Sequence, residues 1–173
     1  MIINACGEGC FKAQTGGVTL MTGPFEGELS SRFKPDILIK NPSSPISPFP
    51  APSSPFVVEG AGEYEIKGVE IFSSQKGVYL VKAEEMRLGF LFPGELNLEK
   101  LEDVSDCDIL FTPVTDQTEK IVKQLEPKII IPATPNYHQL LKTFNIKAEP
   151  QEKLTIKKKE VPETEMKIII LTS

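Results

Sequence analysis

Through residue 92 the chain sets short β-branched and aromatic segments between glycine or acidic turns, and only after residue 98 does the spacing change to strand–helix units. That order limits the fold more than any other feature. Residues 2–6 (IINAC), 11–15 (FKAQT) and 18–21 (VTLM), with Gly16-Gly17 between the last two, read as a β-meander. Residues 36–39 (DILI) form a further buried run, and Gly60, Gly62 and Gly68 divide residues 56–72 into strands. Within residues 63–67, Tyr64 and Ile66 alternate with Glu63, Glu65 and Lys67, the period of a half-buried strand. Residues 78–83 (VYLVKA) and 86–92 (MRLGFLF) add two strands about a turn at Glu84-Glu85.

Beyond Leu98, residues 108–114 (DILFTPV) read as a strand apolar on both faces. Asp116 with Glu119 has the spacing of a capping box, which predicts a helix to Leu125 stopped by Pro127. Residues 128–132 (KIIIP) are another buried run. Asn136 with Gln139 caps a second predicted helix whose Leu140, Leu141 and Phe144 share a face. Residues 153–159 and 166–172 close the chain as strands. Strands followed by strand–helix units predict mixed sheets with helices on their outer faces, an α/β sandwich and not a doubly wound parallel sheet. At 173 residues one domain spanning 1–173 is expected, burying roughly 70% of the unfolded chain's surface.

A net charge of −5 argues against nucleic acid and anionic membrane as partners, since phosphate binding rests on clustered Lys and Arg. Cys6, Cys10 and Cys107 form an odd set with no CxxC pair. They are expected to be small buried hydrophobes in a reducing, cytoplasmic compartment. The opening MIINACGEGC lacks the charged and apolar regions of a secretion signal, and no segment approaches the ~20 apolar residues of a membrane span. Neither export nor membrane insertion is expected.

Residues 60–71 (GAGEYEIKGVEI), with 126–132 (EPKIIIP), the opening 7–25 and the closing 153–158 (KLTIKK), resemble a compact bacterial branch of the metallo-β-lactamase-fold hydrolases. The resemblance covers nearly the whole chain, and GEYEIKGV is its most specific piece. It implies an αβ/βα sandwich of two mixed β-sheets with outer helices. In that family a G-H-S-C-F opening, an aspartate before P-F, an H-x-H-x-D-H run after a strand, a downstream aspartate and a late histidine hold one or two divalent ions. Such donors suit zinc, which takes imidazole, thiolate or carboxylate and leaves a position for a water whose pKa falls to ~7.

Here the resemblance puts Glu8 at the opening histidine and Gly23 at the first aspartate. Residues 41–47 (NPSSPIS) stand in the H-x-H-x-D-H stretch, with Pro42, Ser44, Ile46 and Ser47 at ligand positions. Pro93 falls at the downstream aspartate and Thr134 at the late histidine. The expectation is therefore no catalytic residue, no metal ligand and no cofactor. Joint loss has an energetic logic, because donors without their ion leave unsatisfied buried groups at about 1–3 kcal/mol each. Pro42, Pro45, Pro48, Pro50, Pro52 and Pro55 oppose a helix and predict a polyproline-II-like loop over 42–55.

The remaining chemistry is sparse. His138 is the one histidine and sits near a predicted helix start, a surface position. Ser43, Ser44 and Ser47 have no neighbouring base and no nucleophile elbow. Glu59, Glu63, Glu65 and Glu70 read as solvated by strand alternation, and Lys157, Lys158 and Lys159 as a charged edge strand. The PxxP spacings of the proline loop match those read by polyproline-binding domains. The expected function is an inactive, metal-free pseudoenzyme that binds or assembles through the former active-site face or its sheet edges. Its partner, a protein or a small molecule, is unspecified, and a homo-oligomer stays open. Two alternatives stand beside it: a divergent hydrolase with a nonstandard site, and an interaction module acting through the proline loop.

Overall fold

The computed structural model describes residues 1–23, 34–43 and 55–173. The strands are β1 (Ile2–Ala5), β2 (Phe11–Thr15), β3 (Val18–Thr22), β4 (Ile37–Ile39), β5 (Phe56–Val58), β6 (Gly62–Ile66), β7 (Val69–Gln75), β8 (Val78–Ala83) and β9 (Met86–Leu91). A 3-10 helix (Leu98–Val104) follows, then β10 (Ile109–Thr112), α1 (Thr118–Leu125), β11 (Ile129–Pro132) and α2 (Tyr137–Phe144). The chain ends with β12 (Pro150–Gln151), β13 (Lys153–Thr155), a 3-10 turn (Lys158–Glu160), β14 (Lys167–Ile168) and β15 (Ile170–Leu171).

Two mixed sheets form the sandwich. The six-stranded sheet runs β13-β1-β2-β3-β4-β5 and the seven-stranded sheet β14-β11-β10-β9-β8-β7-β6, with β12 and β15 paired separately. In the first, β3, β4 and β5 are parallel neighbours, and in the second β9, β10, β11 and β14 are. The sheets meet through alternate side chains. Ile3, Leu20, Ile37 and Ile39 of one face pack on Tyr79, Leu88, Ile109 and Phe111 of the other.

The opposite face of the seven-stranded sheet explains why residues 78–81 of β8 and 109–111 of β10 are buried on both faces. Val78, Leu80, Leu91 and Leu110 receive Leu101 and Val104 of the 3-10 helix and Ile121 and Leu125 of α1. Gly89 permits this approach: a Cβ there would lie 3.1 Å from Leu110 Cδ1 and 3.2 Å from Cys107 Sγ. Leu140 of α2 packs on Ile130 and Ile168, with Leu141 and Phe144 beside it as their shared spacing predicted.

Several local expectations are corrected. Helix α1 begins at Thr118 without a side-chain cap, not at Asp116. The Thr118 hydroxyl is engaged by the preceding loop, accepting Thr115 N–H at 2.7 Å and donating to Pro113 O at 3.0 Å. Asn136 does precede α2, but its side chain bonds elsewhere and makes no cap. The strand over 153–159 stops at Thr155, so Lys157–159 are not an edge strand. Residues 166–172 split at Ile169, whose N–H bonds Ile130 O, and the two halves pair with different strands.

The cysteine expectation fails for Cys6 and Cys10 and holds for Cys107, which is free and buried. Cys6 and Cys10 form a disulfide with Cα atoms 5.1 Å apart, and Cys107 alone is free. Gly7 and Gly9 both take positive φ, folding the intervening loop back until Cys6 N–H meets Cys10 O at 2.9 Å. Thus the cysteines no longer argue for a reducing compartment. Among the described residues no helix is long and apolar enough to cross a membrane.

Candidate functional site

Parallel pairing brings the C-terminal ends of β3 and β4 to the end of the sandwich where β9, β10 and β11 also finish. Five of the positions singled out from the sequence gather there: Glu8, Gly23, Pro42, Pro93 and Thr134. Ser44, Ile46 and Ser47, with Pro45, Pro48, Pro50 and Pro52, lie outside the described residues, and so does most of the polyproline-II expectation.

Gly23, Pro42 and Thr134 make contacts that serve the fold, whereas Glu8 and Pro93 are exposed. Glu8 is exposed in the loop closed by Cys6–Cys10. Gly23 is buried and donates its N–H to Ile39 O at 3.2 Å. Asn41, buried to 6% exposure, accepts Ser43 N–H on Oδ1 at 3.0 Å, an Asx turn that ends β4. That turn delivers the Pro42 ring across to the other sheet. A Cβ built on Gly77 would lie 3.7 Å from Pro42 Cγ and 3.8 Å from Phe92 Cβ, so proline, glycine and phenylalanine converge with Leu96. Pro93 is exposed. Thr134 accepts Val114 N–H at 3.0 Å and donates to Asn136 Oδ1 at 2.5 Å.

Beneath these loops the floor is aromatic. Phe90 and Phe111 stack at 4.4 Å and 10°, and Phe11 tilts onto Phe111 at 4.8 Å. Tyr79 meets Phe92 edge-on at 5.8 Å, and its hydroxyl accepts Gly60 N–H at 3.3 Å. Burial, above all, pushes the Tyr79 pKa up, so at neutral pH it is a hydrogen-bonding phenol and no base. Thr22 accepts Phe11 N–H at 3.2 Å, and Thr112 donates to Pro113 O at 3.1 Å. The hydroxyls nearest this end are thus spent on backbone.

The other candidates lie apart or serve the fold. His138 is exposed, its ring 4.3 Å from Tyr137. Glu59 pairs with Lys40 at 2.9 Å, while Glu63, Glu65 and Glu70 are exposed as alternation predicted. Ser43 is exposed, with its N–H on Asn41. The Lys158 ammonium donates to both carboxylate oxygens of Asp108, at 2.8 and 2.7 Å. Cys107 is buried, and desolvation raises its thiol pKa to about 12, which makes it unreactive. Sequence reasoning passed over Asn41, Tyr79 and Asp108. Only Asn41 carried a local signal, the Asn-Pro-Ser turn triplet.

A protein of the metallo-beta-lactamase superfamily from Thermotoga maritima superposes with a TM-score of 0.74 at 18% identity, over 99% of this chain and 100% of that one. A protein from Parabacteroides distasonis assigned as a metal-dependent hydrolase gives 0.63 at 15% identity, covering 87% and 92%. Igni18, a metallo hydrolase from Ignicoccus hospitalis, gives 0.59 at 11% identity, covering 90% and 99%.

This chain has the metallo-β-lactamase fold.

No family profile matches the sequence, and no curated protein does; at 11–18% identity the structural likeness speaks for the fold alone. The metallo-β-lactamase fold implies a divalent ion, which the side chains here can be tested against. Across the five described ligand positions the chain offers one carboxylate and one committed hydroxyl. Among the described residues, moreover, no group of three or more His, Cys, Asp and Glu is placed so that it could hold a metal ion. Zinc needs three or four nitrogen, sulfur or carboxylate donors, so these residues do not fit it.

Proposed function

We propose that this chain is a metal-free, non-hydrolytic protein of the metallo-β-lactamase fold that acts by binding or assembly. One observation carries the reading. The strand ends that the family uses for ligands bear proline, glycine and threonine, and Thr134 spends its hydroxyl tying two loops together. Apolar packing of Pro42 over Gly77 and Phe92 supports a filled end over an open reaction cleft.

The test is metal content of the purified protein by mass spectrometry, joined to phosphodiesterase and lactonase screens. The expected result is sub-stoichiometric zinc, manganese and iron, with no turnover when these ions are added. Stoichiometric metal with turnover that chelation abolishes would establish the divergent hydrolase in its place.

A further inference from the structure

Strand β6 ends the seven-stranded sheet, and among the described residues no strand pairs with its outer side. Its two faces differ in chemistry. Tyr64 and Ile66 pack against the core between the sheets yet stay half-exposed, while Glu63 and Glu65 are exposed. Next to Tyr64, Phe56 is 48% exposed, its ring edge-on to the tyrosine at 6.1 Å. On the carboxylate side lies a groove of about 510 Å³ floored by Phe72 and Leu80. Glu63, Glu65, Glu70 and Asp103 line it, and Lys82, its one cation, is 3.9 Å from Glu70.

We propose that the free edge of β6 receives an extended segment of another protein in which lysine or arginine alternates with an apolar residue, adding to the sheet as its eighth strand. The proposal is independent of whether the fold's metal site is lost. A strand laid beside β6 sends successive side chains to opposite faces in step with it. One set comes beside Glu63 and Glu65 at the mouth of the acidic groove, where cations are favoured. The other comes beside Tyr64, Ile66 and Phe56, where apolar side chains cover half-exposed rings. Exposed edges are commonly blunted by charged side chains, lysine above all, by proline or by a bulge, and the charges on β6 are both negative, which repels an anionic strand and leaves the edge open to a cationic one. Gly62–Ile66 contains neither lysine nor proline, and its pairing with β7 runs without a register shift. A second copy of β6 fits poorly, because antiparallel pairing would set Glu63 and Glu65 against their own kind, an arrangement that destabilises sheets.

The probe is a capped synthetic peptide in which lysine and valine alternate over about eight positions, roughly the length of a strand. It is compared with a peptide of the same composition that groups all lysines before all valines, and with a glutamate–valine alternation. Binding is followed by amide chemical-shift mapping and hydrogen exchange of the full chain. The expected result is shifts centred on residues 62–66 and 70–72, slowed exchange of the β6 amides, and at least about tenfold weaker binding of either control peptide. Glu63→Lys with Glu65→Lys is expected to weaken the alternating peptide by about tenfold or more. The neutral pair Glu63→Gln with Glu65→Gln should weaken it in the same direction, and serves where charge reversal prevents folding. Shifts mapping elsewhere, equal binding of the grouped peptide, unchanged affinity in the folded variants, or sedimentation showing a dimer built through β6 would each overturn the proposal.

Discussion

The Thr134 hydroxyl accepts the Val114 N–H, while the Asn136 amide donates to Val114 O at 3.0 Å, so one residue after β10 is held at both backbone groups by the loop after β11. Thr134 and Asn136 are themselves bonded, which closes the ring. Thr134→Val keeps the shape but strands the Val114 N–H, and is expected to lower stability by about 1–2 kcal/mol in urea unfolding. Thr134→Ser should restore most of it. Asn136→Ala combined with Thr134→Val should cost less than the two single losses summed, the mark of a shared network. Thr134→His, which puts an imidazole where the sequence resemblance places the late histidine, breaks the same ring and is expected to destabilise without conferring zinc binding.

Where alternation and turn chemistry agreed, the sequence was readable to the residue. Strands β2 and β8 begin and end where the pattern places them, because Gly16-Gly17 and the positive-φ pair Glu84-Glu85 stop the chain at points that side-chain burial alone leaves open. The start of α1 was misread because a capping box is a local pattern, and Thr118 had a better offer from Pro113 O. Asp108 and Lys158 are fifty positions apart and nothing in either neighbourhood announces the other. The gathering of Glu8, Gly23, Pro42, Pro93 and Thr134 at one end was legible only through family resemblance. What Thr134 and Pro42 do there, a latch and an apolar contact, depends on partners from other strands and left no trace in spacing.

Cys6 and Cys10 make a prediction that a simple alkylation count decides. Unfolded without reductant, the protein should take one alkyl group, at Cys107, whereas after reduction it should take all three. Native protein should take none, since Cys107 is buried with its thiol pKa near 12. Closing so short a loop stabilises by about 2 kcal/mol on the chain-entropy account. Reduction, or Cys6→Ser with Cys10→Ser, should therefore lower the unfolding midpoint.

Asp108 anchors the far end of the sandwich. Its carboxylate accepts Arg87 N–H at 2.8 Å as well as the Lys158 ammonium, and its side chain is 8% exposed against 45% for the lysine. Removing the acceptor strands a part-buried backbone donor and frees the segment that follows β13, so Asp108→Ala is expected to cost about 2–3 kcal/mol. Lys158→Met removes only the half-exposed partner and should cost about 1 kcal/mol. Chemical denaturation of the two variants distinguishes a buried anchor from a surface pair: equal losses would place the energy in the ion pair and not in the Arg87 bond.

Two further carboxylates make part of the stability depend on pH. Asp36 lies below the usual carboxylate range chiefly because Lys67 pairs with it, aided by the Thr19 N–H at 2.8 Å. Glu84 is lowered chiefly by the Met1 amine at 3.0 Å, and Gly16 N–H adds to this at 2.8 Å. A carboxylate whose folded pKa is depressed contributes stability that is complete above its unfolded value, about 4, and lost as the pH falls through the folded value. The unfolding midpoint should therefore decline as the pH drops below about 5. Asp36→Asn and Glu84→Gln should each lower the midpoint at neutral pH and flatten that decline. Both side chains are partly exposed, at 23% and 41%, so solvent screening holds each loss to about 1 kcal/mol or less. If both variants keep the parent's acid slope, these bonds do not set it.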